Sequence, residues 1–222
     1  MSKLDWIEGL EWRKPVKQSR GERKIEAILD AAEHLVAERG TDNTAIADIA
    51  KLAESSVGAV YHHFPNKQAV FRALMQRSLQ VLRDTSVDAL SPERLANASC
   101  MDILQGYLVF SFRIAREQPD FKKAIREIAL ADPETAEPLA TLEAELIQTM
   151  RELIFKRIDE VKHPQPERAL AFAIDQCTTL VRARKEEWNH NYLMSKTDDD
   201  LIVEEQVRSM RLYLGIQADA KS

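Results

Sequence analysis

TAIADIAKLAESSVGAVYHHFPNK, from Thr44 to Lys67, holds two short helical patterns in close succession. Thr44 is placed to cap the first pattern, whose apolar residues recur at helical spacing up to Leu52. Ser56 is placed to cap the second, which must end before Phe64-Pro65. Two short helices joined by a tight turn predict a helix-turn-helix, whose second helix can enter a DNA major groove about 12 Å wide.

Longer amphipathic helices are predicted on both sides of this stretch. Residues 25–39 place their apolar side chains on one helical face, and a second such pattern runs from Lys67 toward Leu90. The helix ends are marked by candidate caps and stops: Ser19 with Glu22, Gly40, and Asn66. Farther along, further helices are predicted at roughly 92–117, 119–131, 133–162, 166–194 and 198–217.

The composition agrees with a helical fold. The chain has 222 residues, of which 45% are hydrophobic and 6% aromatic, with 6 Gly and 8 Pro. Few segments alternate Val, Ile and Thr, which argues against a β-sandwich or barrel. The sequence therefore predicts an all-α protein.

Charge is unevenly distributed along the chain. The formal net charge is −5, but residues 1–80 carry 12 Lys and Arg against 11 Asp and Glu, while the remaining residues carry 19 against 25. Six cations fall between Arg13 and Lys24. This basic stretch is either a solvated linker or a segment that follows DNA, with Arg13, Lys14 and Lys17 as its candidate contacts.

The stretch 44–67 resembles the DNA-binding signature of the TetR/AcrR family, in which a Thr, an Ile-Ala pair, a turn, Ser-x-Gly-x-x-Tyr, His-Phe and Lys follow at these intervals. The resemblance implies a basic extension over 1–18, a three-helix helix-turn-helix DNA-binding domain over 19–66, and a larger helical ligand-binding and dimerisation domain over 67–222. It also implies a homodimeric, ligand-responsive transcriptional regulator. Repression of a palindromic operator, relieved by a small-molecule effector, is the commoner output, and activation stays open.

The resemblance and the residue chemistry together give a candidate DNA-binding set. Thr44 offers a hydroxyl and helix N-terminal amides to a phosphate, and Tyr61 offers its hydroxyl. Gly58 lets the helix approach DNA closely, and a nearby phosphate would explain the cation of Lys67 in a first helical turn. The full set is Arg20, Thr44, Ser55, Ser56, Val57, Gly58, Ala59, Tyr61, His62 and Lys67.

The turn departs from the family pattern. Glu54 stands where the family usually has Gly, and Ser55 stands where an apolar residue normally follows. If the turn is left-handed, Glu54 must adopt it with a Cβ, at a cost of about 1–2 kcal/mol. We expect its carboxylate either to point away from DNA or to accept a hydrogen bond from a cytosine amino group.

The C-terminal helices are expected to build a ligand cavity and a dimer interface. Large or polar side chains on apolar faces are candidate ligand contacts, although each can equally be an ordinary core residue: Tyr107, Phe110, Ser111, Met150, Gln176 and Cys177. The last two long helices carry the apolar stripes expected to pair two subunits: Leu170, Ile174, Cys177, Leu180 and Val181 on one, and Leu201, Val207, Met210, Leu212 and Leu214 on the other.

Several classes of protein are disfavoured. Cys100 and Cys177 are far apart, so no disulfide framework or zinc knuckle is indicated, and a cytoplasmic location is expected. No signal peptide or membrane-spanning run is predicted. Adjacent His62 and His63 point about 100° apart on a helix, so no metal or other cofactor is expected. No catalytic constellation is recognisable, and the remaining alternative is a helical adaptor or protein-interaction module without sequence-specific DNA binding.

Overall fold

A computed structural model describes residues 20–185 and 197–216, which form helices and no strand. The prediction of an all-α fold is confirmed. The helices are α1 (Arg20–Arg39), α2 (Ile46–Leu52), α3 (Val57–His63), α4 (Lys67–Ala89), α5 (Pro92–Leu95), α6 (Cys100–Glu117), α7 (Pro119–Ala131), α8 (Pro133–Phe155), a 3₁₀ helix (Ile158–Glu160), α9 (Pro166–Lys185) and α10 (Asp199–Leu214). Within the described ranges, no helix is both long and apolar enough to cross a bilayer.

Local sequence signals set most helix ends. Gly40 adopts φ +81° directly after α1, as a stop residue does. The Asn66 side chain accepts a hydrogen bond from the Ala69 amide at 2.8 Å, which caps α4 as predicted. The predicted cap at Ser19 and the basic extension over 1–18 lie outside the described residues.

The helix predicted over 92–117 is two helices. Ser99 and Asp102 form a reciprocal cap, in which the Asp102 carboxylate accepts from the Ser99 amide at 2.9 Å and the Ser99 hydroxyl accepts from the Asp102 amide at 3.1 Å. This cap starts α6 at Cys100. The helix predicted over 133–162 likewise ends at Phe155, and the Arg157 side chain there donates to the carbonyls of Leu95 and Ala98 at 2.8 and 2.6 Å.

The described chain divides into two compact units. The N-terminal unit comprises residues 20–85 and 118–144, and the C-terminal unit comprises residues 86–117, 145–185 and 197–216. These units differ from the predicted ranges 19–66 and 67–222.

The reason for the difference lies in the core of the N-terminal unit. Ala124, Ile125 and Ile128 of α7 are buried in one cluster with Ile28 and Val36 of α1. Apolar residues of α4 join the same cluster. The helices α1, α2 and α3 therefore do not close a hydrophobic core by themselves. Phe64, which follows α3, is buried in this cluster as well.

Candidate nucleic-acid interface

The turn between α2 and α3 is tight and hydrogen-bonded. The Ser55 amide donates to the Ala50 carbonyl at 2.8 Å, which closes the end of α2. Glu54 has φ +49°, and among the described residues it is the one non-glycine with positive φ. The left-handed conformation, which the sequence left open, is the one that Glu54 adopts, at an expected cost of about 1–2 kcal/mol.

The second helix of the motif, α3, is anchored on one side and exposed on the other. The Ser56 side chain accepts from the Ala59 amide at 3.1 Å, so the predicted cap is confirmed. Val60 and Phe64 are buried in the core of the N-terminal unit and fix the helix. The opposite side presents polar, small and aromatic groups to solvent: Ser56, Val57, Gly58, Tyr61 and His62 are exposed, and Ser55 and Ala59 are half-buried.

Gly58 is not required by the fold. Its φ is not positive, and a Cβ built there would meet only the Ser56 Oγ, at 4.0 Å. A glycine within a helix costs about 1 kcal/mol relative to alanine. The α3 surface is therefore left without a side chain at this point although the protein itself has room for one.

Thr44 has a different role from the one predicted. Ala45 is the N-cap residue of α2, and no side chain caps this helix. The Thr44 side chain is buried, because the residue is 1% exposed, and its hydroxyl donates to the Gly40 carbonyl at 2.8 Å. The prediction of a Thr44 cap was wrong, and its hydroxyl is not presented to a phosphate. Thr44 instead fastens the start of the motif to the end of α1.

Lys67 also has an internal partner. Its Nζ donates to the Thr41 carbonyl at 2.9 Å and lies 5.8 Å from the centre of the Phe71 ring. These contacts stabilise the Lys67 cation in the first turn of α4. The unfavourable helix dipole at this position therefore does not require a nearby phosphate. The ammonium keeps N–H groups beyond the one used by Thr41. Sequence inspection missed Thr41 because a backbone carbonyl leaves no mark in the residue type.

The motif itself has little positive charge. Residues 41–67 contain Lys51 and Lys67 against Asp42, Asp48 and Glu54, a formal charge of −1. Asp48 is paired with Arg39 of α1 at 3.3 Å. Contacts of these residues with the phosphates of DNA would therefore depend strongly on neutral hydrogen-bond donors such as the Tyr61 hydroxyl. The remaining predicted contact, the side chain of Arg20, lies outside the described side chains.

The two histidine rings at the end of α3 pack edge to face against each other. The ring centroids of His62 and His63 are 5.1 Å apart with an interplanar angle of 75°, and His63 also packs edge-on near Phe64. In the described part of the chain, no three His, Cys, Asp or Glu side chains come together in a way that could hold a metal ion.

Residues 28–74, which contain α2 and α3 entirely, match the family model for bacterial regulatory proteins of the tetR family. This segment is therefore similar to the corresponding part of TetR-family regulators. The probable HTH-type transcriptional regulator ArpR of Pseudomonas putida is 40% identical over 75 residues, which are 33% of this chain and 35% of ArpR. The HTH-type transcriptional regulator TtgR, also of Pseudomonas putida, is 46% identical over 48 residues, or 22% and 23% of the two chains.

The TetR-like fold extends beyond this segment. The structure of a TetR-family transcriptional regulator from Mesorhizobium loti superposes with a TM-score of 0.65 at 16% identity, covering 89% of this chain and 98% of the other. In sequence, however, the chain aligns with only about a third of ArpR and about a quarter of TtgR. Both Pseudomonas putida relatives are named as HTH-type transcriptional regulators.

The predicted ligand contacts all lie in the C-terminal unit. Met150 and Cys177 are buried in its core, and Tyr107 and Phe110 pack against that core while partly exposed. Ser111 and Gln176 are half-exposed. The Cys177 thiol donates to the Met210 sulfur at 3.2 Å, and burial raises the pKa of Cys177 to about 12.

The apolar residues of α9 and α10 that were predicted to pair two subunits separate into a buried set and an accessible set. Most of these residues are buried in the core of the C-terminal unit: Leu170, Ile174, Cys177, Val181, Val207, Met210 and Leu214. The others are left at least partly accessible: Leu180, Leu201 and Leu212. Phe172 and Tyr213, which the sequence stripes omitted, are exposed aromatics of α9 and α10 with ring centroids 5.6 Å apart.

Proposed function

We propose that this chain is a cytoplasmic transcriptional regulator of the TetR family that binds a palindromic operator as a homodimer and acts as a repressor. A small-molecule effector, bound in the C-terminal unit, releases it from DNA. The proposal combines a DNA-reading surface on α3, a pairing surface on α9 and α10, and a coupling between ligand and DNA binding.

The observation that carries the DNA-binding function is the surface of α3. Val60 and Phe64 fix the helix from below, while Gly58 leaves the outer face bare where the fold would accept a larger residue. A bare patch on an otherwise anchored helix favours a partner that approaches the backbone closely. Around it, Ser56 and Tyr61 offer hydroxyl groups suited to phosphates and base edges.

Pairing of two subunits is supported by the size of this surface and by the exposed apolar residues. A seven-residue helix reads few bases, and helix-turn-helix proteins commonly bind two half-sites about 34 Å apart. Leu212 is 77% exposed, Phe172 50% and Leu201 47%. Large apolar side chains of this kind on two long helices favour a second copy of the chain as their partner.

Release by an effector follows from differential affinity. A ligand that binds better to a conformation unsuited to two successive grooves lowers DNA affinity, by about 5–150-fold for a coupling of 1–3 kcal/mol. Tyr107, Phe110 and Gln176, which are partly accessible beside the core, remain the proposed contacts for such a ligand. Met150 and Cys177 would be reached only if that core opens.

The test compares the wild-type chain with Gly58→Ala on the DNA upstream of its own gene. Wild-type affinity should fall between two salt concentrations, because each lysine or arginine that contacts a phosphate releases counterions. The alanine variant should unfold at the same temperature or higher, since its Cβ meets no clash, yet bind the DNA at least about tenfold more weakly. A helical adaptor would show no salt-dependent DNA binding, and equal affinities for the two proteins would remove the argument from Gly58.

A further inference from the structure

The turn residue Glu54 has no evident structural purpose. Its backbone has φ +49°, a conformation that glycine or asparagine adopts more readily. Its side chain is exposed and forms no hydrogen bond or ion pair with another described residue. A residue that strains the backbone and stabilises nothing around it points to a role outside the folded chain.

The position of Glu54 identifies what it would meet. It lies two residues before Ser56, the cap of α3, and the Ser55 amide is fixed to the Ala50 carbonyl, so the turn is held to the motif. Any duplex that seats against the start of α3 comes close to this carboxylate. The inference therefore rests on the proposed DNA-binding function.

A carboxylate has few favourable partners on DNA. Phosphates repel it, and the O6 and N7 atoms of guanine and the O4 of thymine are acceptors like the carboxylate itself. The cytosine amino group is the donor that acidic side chains recognise in the major groove. On the same side of α3, Val57, Gly58 and Ala59 are small or apolar and discriminate bases weakly.

We infer that Glu54 is a specificity-determining residue of the DNA interface, where it accepts a hydrogen bond from the amino group of a cytosine in each half-site. Guanine and thymine offer the carboxylate no donor at their major-groove edges, and adenine offers its amino group only beside the acceptor N7, which repels a carboxylate. Across residues 41–67, whose formal charge is −1, Glu54 lowers the overall affinity for DNA and raises the selectivity between sequences.

The test selects binding sites from a random-sequence duplex library with four full-length proteins: wild type, Glu54→Gln, Glu54→Ala and the control Glu145→Gln. Glu145 is an exposed acid of α8, so its variant makes the same change in net charge away from the turn. Wild type and control should select one palindromic motif with a cytosine at a symmetric pair of positions. Both Glu54 variants should lose the preference at those positions alone.

Affinities for defined duplexes make the result quantitative. Replacing the selected cytosine by thymine should weaken wild-type binding by about 5–150-fold and the Glu54 variants by less than about twofold. Thermal melting of each protein shows whether a variant has lost its fold. A further variant, Glu54→Gly, should melt at a higher temperature than wild type, because glycine adopts a positive φ without strain. The same motif for all four proteins, or an equal gain in affinity for every duplex, would overturn the inference. If wild type selects no motif, the proposed function fails, and this inference with it.

Discussion

Tyr61 and Lys67 are both predicted to meet phosphates, yet the structure gives them different surroundings. Tyr61 is 51% exposed at the surface of α3, and its hydroxyl has no partner in the described chain. Lys67 is half-buried and already holds the Thr41 carbonyl. Substitution of Tyr61 is therefore expected to change DNA binding without changing the fold, whereas substitution of Lys67 also removes an internal hydrogen bond.

Salt dependence separates the two residues. Tyr61→Phe should weaken operator binding about fivefold with an unchanged slope of log affinity against log salt, because a neutral hydroxyl releases no counterion. Lys67→Gln should reduce that slope by about 0.9 if its remaining N–H groups contact one phosphate. Binding titrations at four salt concentrations measure both slopes, and an unchanged slope for Lys67→Gln would assign this residue to the fold alone.

At the scale of helices, an ion-pair cluster joins α4 to α1 within the N-terminal unit. The Arg77 guanidinium donates to Glu26, Asp30 and Glu33 of α1 at 2.9, 2.8 and 2.8 Å. The side chains of Arg77 and Glu33 are each only 10% exposed. The cluster fixes the helix that follows the DNA-binding motif against the helix that precedes it.

Arg77→Met should destabilise the N-terminal unit, because it leaves the Glu33 carboxylate buried without this partner. Fully buried pairs lose about 3–5 kcal/mol when one member is removed, and the partial exposure of Glu26 and Asp30 lowers the expectation to about 2–4 kcal/mol. Arg72→Met is the matched control in α4, since Arg72 is 63% exposed and lies 3.7 Å from Asp132. Its effect should stay within about 0.5 kcal/mol. Urea unfolding measures both, and equal losses would show that the cluster contributes no more than a surface pair.

At the scale of the whole molecule, the proposed subunit pairing depends on side chains that one chain leaves uncovered. Leu212→Glu should shift the protein from dimer to monomer in sedimentation velocity, because the substitution places a charge in the proposed interface. Helical content should be unchanged, since Leu212 is 77% exposed. Leu130→Glu on α7 is the control, with a residue 68% exposed that is not expected to pair. Operator affinity should fall with the dimer, and a wild-type monomer would contradict the proposed assembly.

Local signals in the sequence determined the helices and the motif. Apolar spacing, the Ser56 and Asn66 caps and the Gly40 stop depend on neighbouring residues, so they could be predicted before any contact was known. The break before α6 was missed, although Ser99 and Asp102 carry a capping box that a closer inspection of this segment could have found.

Tertiary structure alone decided which polar side chains are exposed and which have partners within the protein. Thr44 and Lys67 are polar residues at helix starts, and only the placement of Gly40 and Thr41 turned their side chains toward internal carbonyls. The membership of α7 in the N-terminal core likewise depends on contacts between residues about ninety positions apart. Helix formation follows from local spacing, but exposure and partnership are properties of the packed chain, and no local pattern encodes them.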